Sequence, residues 1–170
     1  KDKELIYRIG NKNKHSSTLE HLNYSFDIDG ISRACLQELA RHRHASISVK
    51  STRYTLKELK NTTTDEELRE FLVQDSLNLY TIGSGVQALQ NVREMLLNNV
   101  ANDIVKYALP EAYKTSLVWT INARSLQNFL ALRTSKSALW EIRDLAHEMF
   151  KQLPDEHKYL FEEFINKKED

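Results

Sequence analysis

The chain has 170 residues, 41% of them hydrophobic, and its 24 Lys/Arg balance 24 Asp/Glu to a formal net charge of zero. That length supports one domain with a real core and is short for two, and the balanced charge excludes a global field that would draw the protein onto nucleic acid or a membrane. The single cysteine, Cys35, excludes an internal disulfide and fits a reducing compartment, and no apolar run approaches the roughly 20 residues of a membrane span, so the chain reads as cytoplasmic.

In chain order, Leu5, Ile6 and Ile9 have helical spacing over residues 2–9, and Gly10, Asn11 and Asn13 are expected to end that helix. Leu22, Tyr24, Phe26 and Ile28 then alternate with polar residues, which is the period of a strand with one buried face, and Asp29-Gly30 is read as a turn. A helix is expected from Ile31 to about Arg43, followed by a loop or short strand around Ser46, Ser48 and Val49. Thr64 and Glu67 have capping-box spacing ahead of Leu68, Phe71 and Leu72, and Ser84 with Gln87 repeats the signal before Val86, Leu89, Leu96 and Val100. Gly83-Ser84-Gly85 is then a connection between helices.

Pro110 stops the helical run that holds Lys106. Tyr113, Thr115, Leu117, Trp119 and Ile121 alternate as a second strand leading into Asn122. From Ala123 the spacing of Leu126, Phe129, Leu130 and Arg133 is helical, as is that of Leu139, Ile142, Ala146, Met149 and Leu153 before Pro154. A last helix carries Leu160, Phe161, Phe164 and Ile165 and ends in a charged tail. The predicted class is α+β: about six helices packed around a small, mainly antiparallel sheet in a single domain.

Charge is focused within this neutral whole. Residues 31–60 hold seven Lys/Arg (33, 41, 43, 50, 53, 57 and 60) against Glu38 and Glu58. Arg41, Arg43, Lys50 and Arg53 bracket Ser46, Ser48, Ser51 and Thr52, a set of paired donors and hydroxyls suited to phosphate oxygens. On these residues alone three readings stand: a phosphate-contacting site of an enzyme, a single-stranded RNA contact in which Tyr54 stacks beside Arg53, and a structural subunit. Zero net charge and the lack of an RNA-binding motif speak against the second, and Arg133 on a core-facing helix against the third. His42-Arg43-His44 lacks Cys, Asp or Glu at ligand spacing, so no metal is expected.

The pattern Arg41-His42-Arg43, seven residues, Ser51 resembles the signature of the flavin-dependent thymidylate synthases, which make dTMP from dUMP. The resemblance extends through His15-Ser-Ser-Thr-Leu-Glu-His21 and Ile121-Asn-Ala-Arg-Ser-Leu-Gln-Asn-Phe-Leu-Ala-Leu-Arg133, covering about 14 to 150 in three ordered blocks. It implies FAD as cofactor, NADPH and methylenetetrahydrofolate as co-substrates, and a homotetramer with active sites at subunit interfaces. It also implies that residues 1–170 are one such domain, lacking an N-terminal segment that members usually carry.

Carried over by position, the resemblance assigns FAD contacts to His15, Ser17, Arg41, His42, Arg43, Asn122, Arg124 and Asn128. It assigns dUMP contacts to Glu38, Arg41, Lys50, Ser51, Thr52, Arg53, Tyr54, Lys106 and Arg133. Arg133 is the expected catalytic cation, stabilising negative charge on the pyrimidine. Ser51 is the other catalytic candidate, although Lys50 and Arg53 beside it, and the lack of a nearby base in the sequence, favour phosphate binding. Glu20 and His21 are expected to support the first strand, and Cys35 to pack. Four positions depart from the family pattern: Glu38 for a common Gln, Val49 for Glu, Lys106 for Arg and Ser137 for His, of which Lys106 keeps charge but loses the bidentate fork.

Overall fold

The computed structural model describes residues 2–74 and 78–165. The charged tail beyond Ile165 lies outside them. The α+β class holds: helices accompany a three-stranded antiparallel sheet of β1 (Asn23–Ser32), β2 (Ala45–Val49) and β3 (Lys114–Asn122), in the order β1-β3-β2. Ala123 N donates to the Leu22 carbonyl beyond one end of β1, and Arg33 N donates to the Tyr113 carbonyl beyond the other, which fixes the antiparallel register of the two long strands.

Asp29-Gly30 is not a turn between elements; it lies inside β1. Gly30 has φ of +76°, a conformation that suits glycine. Its effect appears in the burial pattern, where the inward positions shift from Tyr24, Phe26 and Ile28 to Ile31. This is the signature of an extra residue in a strand, and it carries the chain straight into α2 (Arg33–Leu39).

Contacts divide the described chain into two compact units. The first comprises residues up to Asp27, Glu38–Ile47 and those from Val118 onward. It begins with α1 (Asp2–Tyr7), which the chain continues as a wider π turn over Arg8–Lys12, past the expected stop at Gly10. Gly10 is needed there, because a Cβ would stand 2.9 Å from a Leu19 methyl. A 3₁₀ turn over Ser16–His21 leads into β1. Its two long helices follow from the expected spacing: α7 (Ala123–Arg133) buries Leu126, Phe129 and Leu130, and α8 (Trp140–Gln152) buries Ile142, Ala146 and Met149. The expected last helix is instead two short 3₁₀ turns, Lys158–Leu160 and Glu162–Phe164, with Leu160 of the first and Phe161 between them buried.

The second unit comprises Ile28–Gln37 and Ser48–Leu117. The helix α3 (Thr52–Lys60) was not expected from the sequence; it buries Leu56 and Leu59 and is capped by Ser51, whose hydroxyl accepts from Arg53 N at 3.4 Å. The Thr64 and Glu67 capping box forms as expected at α4 (Asp65–Arg69). Gly83-Ser84-Gly85 is not a connection. It lies within α5 (Leu79–Leu97), which Asn78 caps through a 2.9 Å bond from Thr81 N. Gly85 is small because Leu72 packs on it; a Cβ there would be 2.8 Å from Leu72 Cδ1. Leu56, Leu59, Leu68, Leu72, Leu89 and Val105 belong to this unit's core, with Val105 on the one-turn helix α6 (Asn102–Val105).

Candidate functional site

In the first unit α2 ends at Leu39, so Arg41, His42 and Arg43 leave the helix expected to hold them. His42 turns inward instead, its ring edge-on to Phe129 at 4.9 Å between centroids and to Trp119 at 6.4 Å. There it meets Arg133, the last residue of α7, whose side chain is 17% exposed.

Arg133 is held on three sides. Its Nη1 pairs with Glu38 Oε2 at 2.8 Å, its Nη2 reaches the Glu38 carbonyl at 3.4 Å, and its Nε donates to His42 Nε2 at 3.0 Å. A guanidinium nitrogen only donates, so Nε2 of His42 accepts and the ring proton sits on Nδ1. Burial, and after it the charge of Arg133, pushes His42 down to about 4, with Glu38 pulling the other way and Arg41 adding a smaller push. The other Glu38 oxygen pairs with the exposed Arg41 at 3.5 Å. The result is a cation of fixed direction beside a histidine that stays neutral near pH 7.

Next to this group lies a cavity of about 580 Å³ lined by Glu20, His42, Arg43, His44, Ile121, Asn122, Arg124, Ser125 and Asn128. Asn122 caps α7 by accepting from Ser125 N at 2.9 Å, which places Arg124 and Asn128 on the first turns of that helix, and Arg124 pairs with Glu20 at 2.6 Å. The volume lies in the range of small-molecule sites. Arg43, Arg124, Asn122 and Asn128 supply donors and Ile121 an apolar wall, a set suited to a flavin with its phosphates and polar ring edge.

The cavity thus gathers His42, Arg43, Asn122, Arg124 and Asn128 from the expected flavin set. His15, Ser17 and Arg41 are not among its lining residues, and all three are exposed. Sequence reasoning missed Glu20, His44 and Ser125. Ser125 had a signal, its capping distance from Asn122; Glu20 had none, since its partner Arg124 is 104 residues away.

In the second unit, Lys50 N donates to the Ser116 carbonyl at 2.8 Å and the chain then enters α3 through Ser51. Lys50 and Thr52 help line a cavity of about 300 Å³ with Arg33, Leu36, Val49, Thr55, Tyr113, Lys114 and Thr115. Arg53 and Tyr54 are exposed on α3 and do not line it. Lys106 is exposed as well, its Nζ 5.7 Å from the centre of the Tyr107 ring. Cys35 is fully buried, as expected of a packing residue.

A family profile described as thymidylate synthase complementing protein matches residues 1–157. The flavin-dependent thymidylate synthase of Wolinella succinogenes is 61% identical over 169 residues, covering 95% of this chain and 81% of that protein. That of Campylobacter jejuni strain RM1221 is 59% identical over 177 residues, covering 98% and 83%. Among solved structures, thymidylate synthase X of Helicobacter pylori, crystallised with FAD and dUMP, is similar at 54% identity and a TM-score of 0.91, covering 96% of this chain and 83% of that one.

Proposed function

The chain belongs to the thymidylate synthase complementing protein family, the flavin-dependent enzymes that make dTMP from dUMP, and on that premise we propose how its residues divide the work. Arg43, Asn122, Arg124 and Asn128, with His15, Ser17, Arg41 and His42, hold FAD. Lys50, Ser51, Thr52, Arg53, Tyr54 and Lys106 serve the phosphate end of dUMP. Glu38, Arg41 and Arg133 serve its pyrimidine.

The observation that carries this reading is the clamp on Arg133. Carbon 5 of uracil is electron-poor and must be made nucleophilic before it accepts a one-carbon unit. Cys35, the sole cysteine, is fully buried with its amide bonded to Ser32 Oγ at 3.0 Å, so it is no candidate for addition to the ring. Reduced FAD supplies the hydride when bound. The protein's share is to orient the ring and stabilise negative charge on it, and an oriented cation such as Arg133 contributes about 3 to 4 kcal/mol to lowering that barrier. Glu38 and His42 hold the guanidinium in place before substrate arrives, so its orientation costs nothing at the moment of reaction.

Methylenetetrahydrofolate is the one-carbon donor and NADPH the reductant in this proposal. The working form is a homotetramer with active sites at subunit interfaces, in the cytoplasm. Among the described residues no helix is long and apolar enough to cross a membrane. The test is chemical: FAD-loaded protein given dUMP, methylenetetrahydrofolate and NADPH forms dTMP, and omission of any one abolishes it. Production of dTMP without the folate or NADPH would refute the assignment of that co-substrate.

A further inference from the structure

We propose that a cavity beside α7 in the first unit docks the adenosine end of NADPH, with Lys14 on its 2′-phosphate and Gln127 and Glu163 on the amino group of its adenine. The inference rests on NADPH being the reductant, as proposed above, and gives that co-substrate a place on the protein. The cavity has a volume of about 290 Å³, and its polar lining is Asn11, Lys14, Ser16, Gln127 and Glu163, with Phe164 as its aromatic side chain. All six belong to the first unit. The volume stands at the lower bound of small-molecule sites, room for a nucleoside and not for a whole dinucleotide.

Gln127 is the starting point. It is only 6% exposed, on a helix whose other buried residues are apolar, and its amide is held in direction: Nε2 donates to the Leu160 carbonyl at 2.8 Å and to Asn11 Oδ1 at 3.2 Å. Its carbonyl oxygen accepts no hydrogen bond among the described residues. The side-chain atoms sealed from solvent without a partner there are Arg33 Nε and Tyr113 Oη, so the Gln127 oxygen opens into the cavity that the residue lines. A buried acceptor fixed in direction and left open calls for a donor. Asn11 Nδ2 in turn donates to Glu163 Oε1 at 2.5 Å, which leaves the other Glu163 oxygen as a second acceptor.

Charge specifies the rest of the ligand. Lys14 and Glu163 line one small cavity, yet no ion pair among the described residues includes either of them. An ammonium and a carboxylate kept apart in this way suit a ligand with an anion at one end and hydrogen-bond donors at the other. An adenine nucleotide has that layout: its exocyclic amine donates to Gln127 and Glu163, its base stacks on an aromatic side chain, and a ribose 2′-phosphate meets Lys14. The backbone is irregular at the same place, since Asn11 lies in the π turn and Lys14 has φ of +55°, and such conformations gather at ligand sites. The flavin cavity is close by. Ser16 opens the 3₁₀ turn whose Glu20, about 8 Å further along, lines that cavity, and Gln127 precedes Asn128, which lines it too. A dinucleotide with its adenosine here has its nicotinamide free to reach the flavin.

The test follows anaerobic flavin reduction in FAD-loaded wild type, Lys14→Gln and Glu163→Ala with three reductants: NADPH, NADH, which lacks the 2′-phosphate, and reduced nicotinamide mononucleotide, which lacks the adenosine. Both substituted residues are exposed, so both variants are expected to fold. Lys14→Gln is expected to raise the apparent Kd for NADPH about tenfold, the scale of one charge-assisted bond, and to leave NADH and the mononucleotide at wild-type values. Glu163→Ala is expected to weaken NADPH and NADH alike, by about three- to tenfold, and to spare the mononucleotide. Flavin content and dUMP affinity should not change. Calorimetry with 2′,5′-ADP on the same FAD-loaded proteins reads the cavity without hydride transfer and should show the same loss in Lys14→Gln. A wild-type Kd for NADPH in both variants would overturn the site, as would a loss shared by the mononucleotide, which would place the effect at the flavin. A wild type that NADPH does not reduce would overturn the reductant reading; binding of 2′,5′-ADP that Lys14→Gln weakens would then still support the cavity as an adenine-nucleotide site, and no binding would overturn that as well.

Discussion

Arg133 donates its Nε proton to Nε2 of His42 across 3.0 Å, and that bond fixes the tautomer of the histidine at the centre of the Arg-His-Arg block, with the ring proton on Nδ1. A second proton on His42 would have to displace this bond and face the guanidinium. Burial and Arg133 therefore hold the ring neutral down to about 4, against 6.5 ordinarily.

A pH dependence follows. Between 6.5 and about 4 the unfolded chain binds a proton at His42 that the folded chain does not, so this site lowers stability as the pH falls through that window and is neutral above it. His42→Gln removes the titration. Urea midpoints measured at pH 7 and pH 5 should fall more in the wild type than in His42→Gln. Equal falls would mean that His42 does not resist protonation in the folded state.

Removing the clamped cation should separate binding from chemistry. Arg133→Ala is expected to keep FAD and dUMP largely bound and to lose roughly 10² to 10³-fold in dTMP formation, the scale of one oriented electrostatic contact. Turnover at the wild-type rate would remove Arg133 from the catalytic role.

Ser51 has two tasks that one substitution probes together. Its hydroxyl caps α3, and losing such a cap costs about 1 kcal/mol. In the proposed role as a phosphate contact it would also contribute to affinity. Ser51→Ala should therefore melt slightly earlier, bind dUMP more weakly and keep residual activity. Complete inactivity with unchanged dUMP affinity would instead assign chemistry to Ser51.

The sequence showed most clearly what is periodic and local. Trp119 and Ile121 in β3 and Leu126, Phe129 and Leu130 in α7 lie buried where their spacing put them, and Asn122 sits at the junction of the two elements. The α2 boundary was not legible, because residues 40–43 are good helix formers and what draws His42 away is Phe129 and Arg133, some ninety residues on. The Glu20–Arg124 pair and the Arg33 cavity were hidden for the same reason: they depend on contacts that only the fold creates. α3 was legible in hindsight from Ser51 and the Leu56–Leu59 spacing, but the phosphate-like residues at its start drew attention from its amphipathic face.

The two glycines of α5 make a paired test of that correction. Gly83 has open space where a Cβ would be, so Gly83→Ala should stabilise the helix by about 0.5 to 1 kcal/mol through its greater helix propensity. Gly85→Ala forces a methyl to within 2.8 Å of Leu72 Cδ1 and should destabilise by about 1 to 3 kcal/mol. Thermal melts of the two variants should move in opposite directions. If both glycines lay in a loop, neither shift would follow.

The measurement that bears most directly on the central claim is an absorption spectrum of the FAD-supplied protein, followed by anaerobic addition of NADPH with and without dUMP. The account predicts flavin bands that bleach, and bleach faster when dUMP is present. A protein that takes up no flavin when FAD is supplied, or whose bound flavin NADPH never reduces, would contradict it.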